Sequence, residues 1–137
     1  MTPQPQGKAR PAACACRGVT PKRILLYACS GAANVAEAAD RAARQLMFAG
    51  VGNMACLAGI AAEIPAMVKA ARDADLNVIL EGCPTDCAKK IFDRAGLTNY
   101  VHVRVTDLGF KKIKGVRATD GQVSLLVARA KEVIAKT

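Results

Sequence analysis

The sequence predicts a small α/β protein: a doubly wound, Rossmann-like, mainly parallel sheet of about four strands, with helices on both faces. Two observations carry that expectation. Apolar runs of strand length alternate with helix-length stretches whose apolar residues recur at spacings of three and four, the order expected of repeated βα units. Three of the runs close on a cysteine, and Cys29, Cys56 and Cys83 fall at equal intervals of 27 residues. That interval is close to one strand, its crossover helix and two short loops. A chain of 137 residues can bury a core of its own within one domain.

Residues 1–20 hold Pro3, Pro5, Pro11, Gly7 and Gly18 without apolar periodicity. They read as a flexible basic tail, which leaves 21–137 as a single α/β domain. Residues 22–29 form the first strand, a nearly continuous apolar run of the kind buried on both faces. Residues 32–49 form a helix, with Val35, Ala38, Ala39, Ala42, Leu46 and Met47 on one face and Gly50 at its end. Residues 53–58 are the second strand. Pro65 opens a short helix through Arg72, with Met67, Val68 and Ala71 inward. Residues 76–82 are the third strand, and Pro84 opens the next helix, whose inner face holds Ala88, Ile91, Phe92 and Ala95 before Gly96 stops it. Along 100–108, Val101, Val103 and Val105 alternate with His102, Arg104 and Thr106. Such alternation marks a strand with one wet face, hence a sheet edge, and places His102 at the surface. A basic loop over 110–120, with room for a short extra strand, leads to Asp120. That residue is the expected N-cap of a last helix carrying Val123, Leu126, Val127, Ala130, Val133 and Ile134 on its apolar side. Right-handed crossovers give the strand order 2-1-3-4.

Composition narrows the function classes. The chain is 52% hydrophobic, without Trp and only 4% aromatic, so its helices pack through small side chains. No stretch reaches the ~20 consecutive apolar residues of a membrane span. No apolar run follows the basic N-terminal residues, so a secretory signal is not expected. The expected setting is cytoplasmic and reducing, where six cysteines point to metal or redox chemistry more than to a disulfide framework. Residues 1–23 carry five of the basic side chains and no acidic one, so the body of the chain accounts for only +4 of the net charge of +9. With few aromatic residues and no helix-turn-helix or zinc-finger spacing, specific nucleic-acid binding is not expected.

One cysteine at a strand end is ordinarily a small buried hydrophobe. Three at the same topological position are harder to dismiss, because parallel strands bring them to one carboxyl edge, where open α/β folds hold their ligands. Cys87 follows Cys83 one helical turn later. Cys83 itself is expected at a helix N-terminus, where unpaired N–H groups favour thiolate, the species that binds metal. Other motifs fail on geometry. There is no phosphate loop, Gly50-Val-Gly52 precedes a strand instead of following one, and no Arg stands six residues after Cys29 or Cys83. The only His, on the outer side of an edge strand, is poorly placed for a Cys-His nucleophilic pair. Cys14-Ala-Cys16 in the tail is an incidental pair or an accessory site for a soft metal.

Four segments then carry a resemblance: Cys29-Ser-Gly-Ala-Ala-Asn34-Val35, Met54-Ala-Cys56-Leu-Ala-Gly-Ile60, Glu81-Gly-Cys83-Pro-Thr-Asp-Cys87-Ala-Lys-Lys90, and Val105-Thr-Asp107-Leu-Gly109. In this order, over roughly residues 22–135, they resemble the DGC-domain family of zinc-binding proteins, named for an Asp-Gly-Cys motif. The resemblance implies that Cys29, Cys56, Cys83 and Cys87 are the metal-binding cysteines. Glu81 stands where the family has Asp, which lengthens the carboxylate arm and favours a supporting role over direct ligation. Ser30, Asn34 and Asp107 are placed to orient the sulfurs through hydrogen bonds. The resulting expectation is a metal-binding protein that holds one zinc, or a similar soft ion, for storage, sensing or delivery. Four thiolates around a divalent ion leave a charge of about −2, which helix N-termini and Lys89 or Lys90 can offset. Two alternatives use the same sulfurs: a thiol oxidoreductase acting through Cys83 by disulfide or persulfide exchange, and an iron–sulfur carrier.

Overall fold

Four parallel strands form one sheet in a computed structural model that describes residues 21–137. The N-terminal tail, Cys14 and Cys16 lie outside the described residues. In chain order the elements are β1 (Ile24–Ala28), α1 (Asn34–Phe48), β2 (Asn53–Met54), α2 (Leu57–Ala61), α3 (Pro65–Asp73), β3 (Leu76–Glu81), α4 (Cys87–Arg94), β4 (Tyr100–Arg104) and α5 (Asp120–Ala135). The spatial order is β2-β1-β3-β4, as expected from right-handed crossovers. Its register pairs Leu26 with Met54, Leu26 with Val78, and Leu80 with Val103.

The period of two divides the sheet between two cores. Leu26, Val78, Leu80, Val103 and Val105 face α1 and α5, meeting Val35, Ala38, Ala42, Leu46, Val123 and Leu126. Leu25, Tyr27 and Ile79 face α2, α3 and α4, meeting Ile60, Ala71, Ala88 and Phe92. Each large side chain removed from water in this way contributes about 1.5–3 kcal/mol. On the α4 side, Phe92 meets Tyr27 and Tyr100 edge to face, with centroids 4.9 and 5.6 Å apart.

Four expectations are corrected. The second strand is two residues long, not six. Cys56 instead caps α2, which packs so closely on α3 that a Cβ at Gly59 would lie 1.9 Å from Met67 Sδ. The fourth strand ends at Arg104, because Val105 turns into the αR region and Thr106–Leu108 form a 3₁₀ turn. Asp120 is not the last N-cap. Thr119 is, through a reciprocal capping box with Gln122. The helix after the third strand starts at Cys87, three residues later than Pro84. Pro84 and Thr85 lie in a turn closed by Asp86 N–H donating to the Cys83 carbonyl at 3.2 Å, and Asp86 is in the left-handed region with φ 54°.

Candidate functional site

The strand order creates a topological switch point. From β1 the chain crosses to β2 on one side, and from there it returns to β3 on the other. The crevice therefore opens between the carboxyl ends of β1 and β3, where such sheets place ligands. A cavity of about 150 Å³ occupies that position. Its walls are the loop from Cys29 to Ala33, the first turn of α1, the Glu81–Cys87 turn, Lys112 and Lys114.

Cys29, Cys83 and Cys87 all line this cavity. Cys29 is half-buried, and its sulfur accepts the Gly82 N–H at 3.2 Å. Gly82 is required there: a Cβ would stand 2.9 Å from Val35 Cγ2 and 3.0 Å from the Ala36 nitrogen. Burial pushes the Cys29 thiol up to about 11, against the lowering effect of that N–H. Cys83 goes the other way. The Thr85 hydroxyl, 3.3 Å from its sulfur, is the largest influence, and Lys112 Nζ at 3.4 Å adds to it, so its pKa is lowered although partial burial opposes. The stabilisation comes from a turn and a lysine, not from the helix N-terminus that the sequence suggested. Cys87 is the first residue of α4 and is exposed.

Cys56 is exposed and does not line the cavity. It follows β2, the strand on the far side of β1 from the switch point, and caps α2. Among the described residues, the one set of three His, Cys, Asp or Glu side chains with donor atoms all within 4.8 Å of one another is Glu81, Asp86 and His102. The four sulfurs are spread more widely.

That cluster corrects the expectation that His102 lies at the surface. Tyr100, His102 and Arg104 do lie on the face opposite Val101 and Val103, but that face is only partly open: Tyr100 packs on Phe92 of α4, and His102 and Arg104 are drawn against Glu81 and Asp86. His102 Nε2 lies 2.6 Å from Glu81 Oε2, and Glu81, 1% exposed, accepts the Ala88 N–H with its other oxygen. Asp86 Oδ1 is 3.0 Å from Arg104 Nε and 3.6 Å from His102 Nε2. The Asp86–Arg104 contact is too poorly aligned for a hydrogen bond and is a close ion pair. Both Glu81 oxygens are committed and a guanidinium stands on Asp86, so a cation here would have to displace existing partners. The cluster braces the Cys83 turn against β4.

Of the supporting residues, Ser30 and Glu81 line the cavity. Asn34 is buried and clamps the chain after β4: its Nδ2 donates to the Lys111 carbonyl at 3.0 Å and its Oδ1 accepts the Ile113 N–H at 2.8 Å. Asp107 sits on the 3₁₀ turn with a side chain 60% exposed, 3.3 Å from Arg104, outside the cavity. Lys89 pairs with Asp93 instead of the thiols. The basic groups that reach the site are Lys112 and Lys114, from a loop whose sequence carries no motif.

A family model for the DGC domain matches residues 25–130. The chain is also similar to the anaerobic and virulence modulator AnvM of Pseudomonas aeruginosa, 36% identical over 91 residues that cover 66% of this chain and 70% of that protein. No solved structure matches it.

Proposed function

The chain belongs to the DGC-domain family, and from that premise we propose that it is a cytoplasmic protein holding one soft metal ion, zinc first, through cysteine thiolates at the carboxyl edge of its sheet. The reading is carried by one observation: three cysteines from two segments, Cys29 after β1 and Cys83 and Cys87 after β3, line one cavity at the switch point. The donor set suits the ion. Thiols select soft and borderline metals over hard ones. The sulfurs of Cys29 and Cys83 already receive an N–H and an ammonium, partners that favour a ligating thiolate. Lys112 and Lys114 supply positive charge against the excess negative charge of a thiolate site. Cys56 is the fourth candidate ligand, and its exposed position outside the cavity makes it the least tightly held.

A bound zinc with four sulfurs would act as a closed centre, suited to storage, sensing or delivery. An external two-electron oxidant such as a peroxide, reduced to water as two of the thiolates join in a disulfide, would release the ion, a route to the modulating role that the name of the Pseudomonas relative describes. The four variants Cys29→Ser, Cys56→Ser, Cys83→Ser and Cys87→Ser, titrated with zinc against a competing chelator, test the assignment. Affinity should fall most for Cys29 and Cys83 and least for Cys56. Equal, negligible losses across all four would sink it.

A second reading has its own support. The lowered pKa of Cys83 suits a nucleophile in disulfide or persulfide exchange. Fast alkylation of Cys83 alone in zinc-loaded protein would favour that reading, since a closed site protects its ligands together.

A further inference from the structure

The two outer edges of the sheet are finished differently. β2 offers two residues, too short an edge to template another strand. β4 offers five, Tyr100–Arg104, with no Pro and no Lys, and among the described residues no strand pairs with its far side. Its register with β3 runs without a bulge from Asn77 opposite Tyr100 to Glu81 opposite Arg104. The polar side chains do not guard this edge. His102 lies 2.6 Å from Glu81 and Arg104 3.0 Å from Asp86, so both are drawn toward β3 and the turn after it.

The ladder to β3 uses every second residue of β4. Asn77 N–H donates to the Asn99 carbonyl at 2.9 Å at one end, and Val105 N–H to the Glu81 carbonyl at 2.8 Å at the other. Val101 and Val103 between them therefore turn their N–H and C=O groups to β3, and Tyr100, His102 and Arg104 turn theirs outward. The surface beside this row is partly apolar. Leu108, Arg129 and Val133 border the strand in one hollow. Leu108 and Arg129 continue into a second hollow that holds Leu125, 53% exposed.

We propose that β4 is a self-pairing edge, to which a second copy of this chain adds its own β4 antiparallel, about a two-fold axis at His102. The run Tyr-Val-His-Val-Arg is complementary to itself in that register. Tyr100 of each copy faces Arg104 of the other, an aromatic ring against a guanidinium. The outward groups of Tyr100, His102 and Arg104 bond in reciprocal pairs. Val101 of each copy meets Val103 of the other in the pairs without hydrogen bonds, where side chains come closest. Charge also favours a second copy over a foreign strand of one sign. The chain is +9 as a whole, but along this edge Arg104 is matched by Asp86 and Asp107 and Arg129 by Glu132, so two copies meet without net repulsion. Because the paired strands run in opposite directions, the two thiol crevices lie at opposite ends of the joined sheet. The pairing uses no thiol and no metal, so it stands apart from the thiolate reading.

Sedimentation equilibrium of the full chain, with reductant and a metal chelator present to exclude disulfide- and metal-bridged species, should show monomer passing to dimer as concentration rises through the micromolar range. Amide hydrogen exchange on the same samples locates the contact. Tyr100, His102 and Arg104 should slow as the dimer forms, whereas Met54, on the other edge of the sheet, should not change. Val101→Lys sets an ammonium against Val103 of the second copy and should leave a monomer with the circular dichroism of the wild type. Exchange is read on the unaltered protein, so the test holds even if that variant misfolds. A monomer at every concentration, a dimer in which those three amides exchange unchanged, or a folded Val101→Lys protein that still dimerises would overturn the proposal.

Discussion

Cys29 and Cys83 occupy one cavity but opposite acid–base environments. Burial raises Cys29 to about 11, whereas Thr85 first, and Lys112 after it, lower Cys83. A lowered thiol pKa means thiolate at lower pH, so in metal-free protein near pH 8 Cys83 should alkylate well before Cys29. Thr85→Val should slow Cys83 more than Lys112→Gln does, as read by mass-spectrometric counting of labelled peptides. Labelling of Cys29 as fast as Cys83 would contradict the assigned environments. Glu81 offers a second test at this scale. Glu81→Ala leaves the Ala88 N–H and His102 without their buried acceptor, at a cost of about 3 kcal/mol in urea unfolding. The Glu81 position was legible in the sequence from its motif, but its His102 partner was not. Alternation along β4 separates two faces without saying how far each is covered, and the contacts with Glu81 and Asp86 that half-bury His102 are tertiary.

At the scale of elements, the 111–115 strap and the Gly82 turn set the shape of the site. Asn34→Ala removes both side-chain bonds that hold Lys111 and Ile113. It should destabilise by about 1–3 kcal/mol and speed hydrogen exchange at Ile113. Glu37 fastens the far end of the strap. Its carboxyl is held below the usual range, first by the Ala118 N–H and then by Arg117. Because its folded pKa is depressed, this contribution is complete above the unfolded pKa and is lost as pH falls through the folded one. Hydrogen exchange at Ala118, corrected for the intrinsic pH dependence, should therefore show protection falling over that acid range, and Glu37→Gln should abolish the transition. Gly82→Ala forces a Cβ against Val35 and Ala36 and should cost about 1–3 kcal/mol. Four of the five helices and three of the strands were readable from periodicity, whereas α2 begins at Leu57, where the sequence suggested a strand through residue 58. The shortness of β2 and the late start of α4 were not, since Gly59 meeting Met67 and the left-handed Asp86 are tertiary features with no local signature.

At the scale of the whole molecule, the equal spacing of Cys29, Cys56 and Cys83 correctly announced repeated βα units, and the order β2-β1-β3-β4 followed. The same spacing treated the three thiols as equivalent, which the topology does not. The switch point lies between β1 and β3, so Cys29 and Cys83 line the crevice while Cys56 follows β2 on the other side of β1, as the N-cap of α2. Lys112 and Lys114 arrive from the far end of the chain through the Asn34 clamp, a long-range contact that no motif encodes. Among the described residues, no helix is long and apolar enough to cross a membrane. The central claim is that this edge holds a soft ion through thiolates. The most direct measurement is elemental analysis, without oxygen, of the protein and its Cys83→Ser variant purified from zinc-supplemented growth. The account predicts a colourless protein with about one zinc per chain and a variant that has lost most of it. Metal-free wild-type protein, a brown iron-containing one, or zinc retained in full by the variant would contradict it.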